Sequence, residues 1–200
     1  MRSGESQVYG TVVRVPALEL DEPVRREITS RLNQLLADTI TLRDLYKKCH
    51  WQVTGRTFYQ LHLLFEKHFA EQMELVDAIA ERIQLLGGVT LVMGADVAET
   101  TQIKRQPRGR EEVSVQLARL VDAHRIIIRD CRMLARRASA LNDDGASDLV
   151  VSQVLRTNER QVWFVSGHAV NAPLAEGRDP STRPGGAVKE LNDLEPRFDK

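Results

Sequence analysis

Aromatic residues, cysteine and net charge are all scarce in this sequence. Phe, Trp and Tyr make up 5% of its 200 residues, cysteine occurs twice, and 28 Lys and Arg residues balance 28 Asp and Glu residues. This balance argues against a chain built as a whole to coat nucleic acid or an acidic membrane. Cys49 and Cys131 form no CxxC pair and have no metal-ligand spacing. We therefore expect two buried thiols in a reducing compartment.

Long apolar runs are missing as well. The first twenty residues mix polar and apolar side chains, which argues against a secretory signal peptide or a membrane-spanning helix there. No later segment approaches the length needed to cross a bilayer. Hydrophobic residues nevertheless account for 42% of the chain, which is enough for a core. The sequence predicts a cytoplasmic protein with no membrane partner.

Four long stretches carry apolar residues at helical spacing, over residues 22–53, 58–86, 111–141 and 146–170. The connection over residues 89–110 is too long for a hairpin, which indicates a crossover with room for one short helix. Tails are predicted at residues 1–21 and 173–200, and prolines and glycines exclude a long helix from the second tail. The predicted fold over residues 22–172 is an all-α, four-helix bundle of ferritin-like connectivity.

Two pairs of potential metal ligands lie on the second predicted helix. His62 and Glu66 are four residues apart, as are Asp77 and Glu81, so each pair shares one helix face and can reach one ion. His50 lies near the end of the first helix, a short turn away from His62. Imidazole combined with carboxylate suits iron and other first-row metals, and is too rich in nitrogen for calcium. The pattern therefore favours an iron site.

The spacing of the two pairs predicts a site shared by two chains. Glu66 and Asp77 are separated by about three helical turns, or roughly 16 Å, so one helix cannot bring both pairs to one ion. Ala70 and Met73 lie between them and are small or apolar, so we expect this stripe to be covered. An antiparallel copy of the helix would cover it and place one chain's histidine pair opposite the other chain's acidic pair. A two-fold dimer would then hold two identical sites.

Other interpretations of these residues stay open. A lone histidine beside an apolar face is more often a hydrogen-bonded core or surface residue. Asp77 and Glu81 could form a solvated helix face paired with Arg82. An iron site inside the bundle would use Glu-x-x-His, and none of the five histidines has Glu three residues before it. Five potential ligands around one apolar seam favour the inter-subunit metal site.

Two motifs resemble the signature of the Dps family, the mini-ferritins and DNA-binding proteins of starved bacterial cells. The first, HWxxxGxxFxxLH, runs from His50 to His62. The second, DxxAERxxxLGG, runs from Asp77 to Gly88. The resemblance implies a four-helix subunit with a short helix in its crossover, assembled as a hollow dodecamer with ferroxidase centres at its two-fold interfaces.

The resemblance also implies how the ligands are divided. One subunit would supply His50, His62 and Glu66, and its partner would supply Asp77 and Glu81, so that two iron ions bind as substrate at each centre. Glu66 stands where Asp is common in the family. By the same analogy, hydrogen peroxide is the expected oxidant, with oxygen as the alternative, and ferric mineral grows inside the shell.

The resemblance points to further residues near the iron path. Trp51 matches a tryptophan close to the family's centre, and its expected role is packing with some quenching of stray oxidising equivalents. Asp143, Asp144 and Asp148 lie where the family's acidic pores admit iron, while a helix cap is the alternative for Asp143 or Asp144 and a solvated first turn for Asp148. His68 points away from the ligand face and is predicted to be an ordinary surface or interface histidine.

The favoured function is iron oxidation and storage that protects the cell from oxidative damage. The alternatives are a nucleoid-associated DNA-binding protein with little ferroxidase activity and a bacterioferritin-like binder of haem or zinc. DNA affinity depends on cations that neutralise phosphates, and both tails carry nearly balanced charges. The crossover has a basic cluster that Glu111 and Glu112 follow at once, and it consists of Lys104, Arg105, Arg108 and Arg110. DNA binding is therefore expected to be weak or absent and strongly salt-dependent.

Overall fold

The computed structural model describes residues 6–169, and these residues form helices joined by turns and loops. The α-helices are α1 (Glu22–Gln52), α2 (Phe58–Leu85), α3 (Gly94–Thr100), α4 (Val113–Ala140), α5 (Asp144–Asp148) and α6 (Arg156–Ala169). The all-α prediction and the short helix in the crossover, α3, are confirmed. The predicted C-terminal tail, residues 173–200, lies outside the described residues.

A glycine with a positive φ lies shortly after the end of each of the first two long helices. Gly55 follows α1 with a φ of +96°, and Gly87 follows α2 with a φ of +80°, a backbone conformation that side chains with a Cβ rarely adopt. A Cβ on Gly87 would also lie 2.5 Å from the carbonyl oxygen of Val13. The turn after α2 therefore needs glycine for its conformation and for the close approach of the N-terminal segment.

The described part of the N-terminal segment is held against the end of α2. The Val13 amide donates to the Gly87 carbonyl at 2.8 Å. The buried guanidinium of Arg25 in α1 donates to the carbonyl oxygens of Val13 at 2.6 Å and Leu86 at 3.0 Å. These bonds satisfy backbone groups that the helix end leaves without intrahelical partners. None of the helices within residues 6–169 has the length and apolar character to span a membrane.

The fourth helix starts earlier than predicted and contains a π-helical segment. It begins with α5 at Asp144 rather than at Ala146, and continues through the π-helical residues Leu149–Leu155 into α6. The Asp143 carboxylate accepts from the Ala146 amide at 2.9 Å and so caps the helix. A π-helical segment widens the helix by one residue and shifts the side chains that follow it.

The core face of α2 contains polar as well as apolar side chains. Leu61, Phe65, His68, Gln72 and Leu75 are all buried, and the two polar members have no exposed surface. The prediction that His68 is a surface or interface histidine is therefore wrong. Its position continues the buried spacing of three and four residues along the helix, so its ring points into the bundle.

Candidate metal centre

The first two predicted ligands meet where α1 ends and α2 begins. The rings of His50 and His62 are stacked, with their centroids 3.8 Å apart. Nδ1 of each ring lies 2.9 Å from the backbone carbonyl oxygen of the other residue. A carbonyl oxygen can only accept, so Nδ1 carries the proton in both rings. The Nε2 lone pairs of both histidines are then available to a metal ion, and the backbone fixes the orientation of the rings.

Glu66 lies beside this histidine pair. One carboxylate oxygen is 3.3 Å from Nε2 of His50 and 2.5 Å from Nζ of Lys47. The hydrogen bond from Lys47 is the main cause that lowers the pKa of Glu66, and the positive charge of Lys47 adds to this effect. The carboxylate is therefore ionised and already oriented towards the histidines. The Lys47 ammonium lies where a metal cation would otherwise neutralise this charge.

Asp77 and Glu81 lie further along α2, and both are exposed. Within residues 6–169, neither carboxylate takes part in a side-chain hydrogen bond or an ion pair. Arg82, the partner considered from the sequence, forms an ion pair with the buried Asp143 instead. A solvated surface pair with Arg82 therefore does not account for these two carboxylates.

A strip of small and apolar side chains separates the two ligand groups on α2. Ala70 is exposed, and Leu63 and Met73 expose about half of their surface. A single chain thus brings together three of the five predicted ligands and leaves two at the far end of this strip. These three side chains lie close together but do not make a complete metal site, because no group of three or more His, Cys, Asp or Glu side chains among the described residues is arranged so that it could hold a metal ion.

Comparisons with known proteins agree with this architecture. Residues 29–175 match the ferritin-like domain family. The structure of DpsC from Streptomyces coelicolor is similar to this chain, with 50% sequence identity and a TM-score of 0.83 over 85% of this chain and 98% of that one. A nutrient stress-induced DNA-binding protein from Nostoc sp. is 34% identical over 77% of this chain and 83% of its own length. This chain belongs to the Dps family of ferritin-like proteins.

A more distant Dps structure connects the family with iron chemistry. The Dps protein from Vibrio cholerae, described as a member of a broad superfamily of ferritin-like diiron-carboxylate proteins, is 25% identical, with a TM-score of 0.73. The alignment covers 82% of this chain and all of that one.

The other residues singled out from the Dps resemblance differ in their surroundings. Trp51 is 69% exposed, so it packs little against its own chain, and the Lys47 ammonium lies 5.8 Å from its ring centroid. Asp143 is buried and engaged by Arg82 and by the start of α5. Asp144 and Asp148 are exposed near the start of the fourth helix. Of the three aspartates predicted to line an iron pore, only Asp144 and Asp148 are therefore accessible to a passing cation.

Replacing Lys47 by Met should strengthen metal binding at this centre, since the substitution removes the ammonium that a metal must displace from Glu66. Half-exposed ion pairs of this kind contribute up to about 1 kcal/mol, so we expect an affinity gain of up to about fivefold. Calorimetric titration of the metal-free protein with Zn²⁺ measures this gain.

Lys67→Met is the matched control, because its ammonium pairs with Glu71, 2.9 Å away on the outside of α2. This variant should bind Zn²⁺ as the unmodified protein does. Equal affinities in the Lys47 variant, the Lys67 variant and the unmodified protein would show that Glu66 is not a metal ligand.

Proposed function

We propose that this Dps-family protein oxidises Fe(II) at a centre completed by two subunits and stores the ferric product. The observation that carries this proposal is the pair of stacked histidines, whose Nε2 atoms are free while Glu66 lies 3.3 Å from one of them. Asp77 and Glu81, without partners among the described residues, would face this group from the neighbouring subunit. The apolar strip between the two ligand groups would be buried by the same contact.

The proposed ligands suit each step of iron oxidation. Imidazole nitrogen and carboxylate oxygen bind Fe(II), and additional carboxylates favour the more highly charged Fe(III) product. We propose hydrogen peroxide as the oxidant, with oxygen as the alternative. Two Fe(II) ions at one centre would give peroxide both electrons that it needs to become water. Oxidation there would prevent the formation of hydroxyl radicals and so protect the cell.

The proposed assembly is a hollow dodecamer, in keeping with the family. The two-fold contact explains only a dimer, and the shell supplies a space in which mineral can collect. Asp144 and Asp148 are the proposed lining of the pores through which iron enters. Asp143 is not part of this proposal, because its carboxylate caps α5 and pairs with Arg82.

Mixed oligomers test whether the centre needs two subunits. The first variant is His50→Ala with His62→Ala, and the second is Asp77→Asn with Glu81→Gln. Each alone should show almost no Fe(II) oxidation. In a two-fold dimer of one copy of each, one centre has lost both ligand groups and the other is intact. Random co-assembly should therefore recover about a quarter of the unmodified rate, measured by absorbance of the ferric product.

Size-exclusion chromatography with light scattering provides the control, because every oligomer must have the size of the unmodified protein. Inactive hybrids of normal size would contradict a centre shared between subunits. Full activity in either parent variant would exclude its substituted residues as ligands.

A second candidate function, DNA binding, is favoured by the crossover loop. Its four cations, Lys104, Arg105, Arg108 and Arg110, are exposed, and none forms an ion pair within the described residues. The first of the two acidic residues that follow them is engaged elsewhere, since Glu111 pairs with Arg119 at 2.6 Å and Lys48 at 3.7 Å, whereas Glu112 is exposed. The positive charge of the loop is thus offset less than the two acidic residues after it in the sequence suggest. Repetition around a shell would present it many times to one duplex.

We predict that DNA binding through this loop is weak and falls steeply with salt. Replacing the four cations by Gln should abolish the gel shift of linear duplex at low ionic strength, because DNA affinity comes from phosphate neutralisation and counterion release. Four substitutions to Gln at exposed arginines of α4, at Arg125, Arg129, Arg132 and Arg136, are the matched control. Tight binding at physiological ionic strength would contradict the prediction of weak binding. Equal losses of binding in both variants would contradict the assignment to the loop.

A further inference from the structure

All four long helices contribute a polar side chain to one layer of the bundle core. None of these side chains has more than a trace of exposed surface, and they are Tyr46, His68, Gln72, His124, Asn158 and Gln161. The apolar spacing of the sequence does not predict this layer. Buried polar groups are costly unless they are hydrogen-bonded, so a layer of this size calls for an explanation.

Three of these residues form one chain of hydrogen bonds. The Asn158 amide nitrogen donates to the Val154 carbonyl at 2.8 Å, which turns the amide oxygen towards His124. This oxygen lies 2.9 Å from Nδ1 of His124 and can only accept, so Nδ1 carries the proton. Nε2 of His124 therefore accepts from the Tyr46 hydroxyl, 2.5 Å away. The phenol proton thus points at an imidazole base that is held in place from its other side.

Burial keeps the hydrogen-bonded side chains of Tyr46 and His124 uncharged as long as no electron is removed. Desolvation raises the pKa of the Tyr46 phenol well above its ordinary value and lowers the pKa of His124 to about 3. Neither group ionises on its own near neutral pH. A phenol that loses an electron becomes a strong acid, so the proton would then cross to His124 without leaving the hydrogen bond. The arrangement favours reversible one-electron oxidation of Tyr46.

Tyr46 lies next to the proposed iron centre. It precedes His50 by four residues on α1, so the two share one helix face and are separated by about 6 Å along the axis. The Tyr46 ring lies 6.0 Å from the ring of Phe65, whose chain neighbour is Glu66. The Val154 carbonyl that orients Asn158 belongs to the π-helical segment, a feature often found at functional sites. The phenol is fully buried, whereas Trp51 on the other side of the centre is exposed.

We propose that Tyr46 is a built-in one-electron donor to the ferroxidase centre, with His124 as the acceptor of its proton. This inference rests on the proposed function. It concerns centres that hold a single Fe(II) ion, which supplies one electron where peroxide requires two. Tyr46 supplies the other, so that the oxygen–oxygen bond is cleaved to water and no hydroxyl radical is released.

The step balances in atoms and electrons. Fe(II), hydrogen peroxide, the Tyr46 phenol, neutral His124 and two protons from solvent give Fe(III), the phenoxyl radical, the His124 imidazolium and two molecules of water. A second Fe(II) later returns one electron to the radical and becomes Fe(III). The proton then moves back from His124 to Tyr46, which restores both residues for another cycle.

Electron paramagnetic resonance after peroxide addition, at one Fe(II) per centre, tests the proposal on the assembled full-length protein. We expect a tyrosyl radical whose spectrum narrows when the chain contains ring-deuterated tyrosine. The double variant Tyr9→Phe with Tyr59→Phe retains Tyr46 as its only tyrosine and should keep the whole signal. Tyr46→Phe preserves the ring packing and should lose the signal. A spin trap should report hydroxyl radical from this variant and not from the unmodified protein.

Three outcomes would overturn the proposal. The first is loss of the tyrosyl signal in the Tyr9 and Tyr59 double variant. The second is survival of this signal in Tyr46→Phe. The third is a tryptophan radical as the only signal, which disappears in Trp51→Phe. The first of these needs no substitution in the core, so it remains decisive if Tyr46→Phe does not fold. At two Fe(II) per centre, both the unmodified protein and Tyr46→Phe should oxidise iron rapidly. This result would support the ferroxidase function even if Tyr46 proved not to be an electron donor. Absence of this oxidation in the unmodified protein would overturn both.

Discussion

The rise of an α-helix, roughly 1.5 Å per residue, separates the two halves of the proposed iron centre. Glu66 and Asp77 share one face of α2, yet the straight helix holds them about 16 Å apart. No local rearrangement within one chain can remove this distance without breaking α2. The strip between them is exposed and apolar. This fits the proposed oligomer, because a surface that is covered by a second subunit has no need to be polar. In the proposed dimer, the division of the ligands, the exposed strip and the two-fold contact would all follow from this one distance.

Hydrogen bonds and ion pairs within one chain orient both ligand groups for the proposed contact between two subunits. On one side, backbone carbonyls orient His50 and His62, and Lys47 balances the charge of Glu66 until a metal cation replaces it. On the other side, Arg82 is withdrawn from the acidic pair by the buried Asp143. Because an unpaired carboxylate at an interface is costly to desolvate, metal binding and subunit association should support each other.

Periodic features of this chain could be predicted from the sequence, whereas the polar core could not. Apolar residues at helical spacing located all four long helices, because this signal depends on local geometry. The core face of α2, however, passes through His68 and Gln72, and that of the fourth helix passes through Asn158. Hydrophobic patterning assigns such polar positions to the surface, which is why His68 was predicted to be a surface or interface histidine. Only the packed structure reveals that Gln72 donates to Asn158 and Gln161, and that Asn158 also bonds to His124.

The most direct test of the shared centre is an anomalous difference map, recorded at the iron edge, from crystals of the assembled protein soaked in Fe(II) under anaerobic conditions. The account predicts two equivalent iron centres for each two-fold dimer. Each should lie against His50, His62 and Glu66 of one protomer and face Asp77 and Glu81 of its partner. Iron bound inside a single four-helix bundle, or at the interface without the two histidines, would contradict the account.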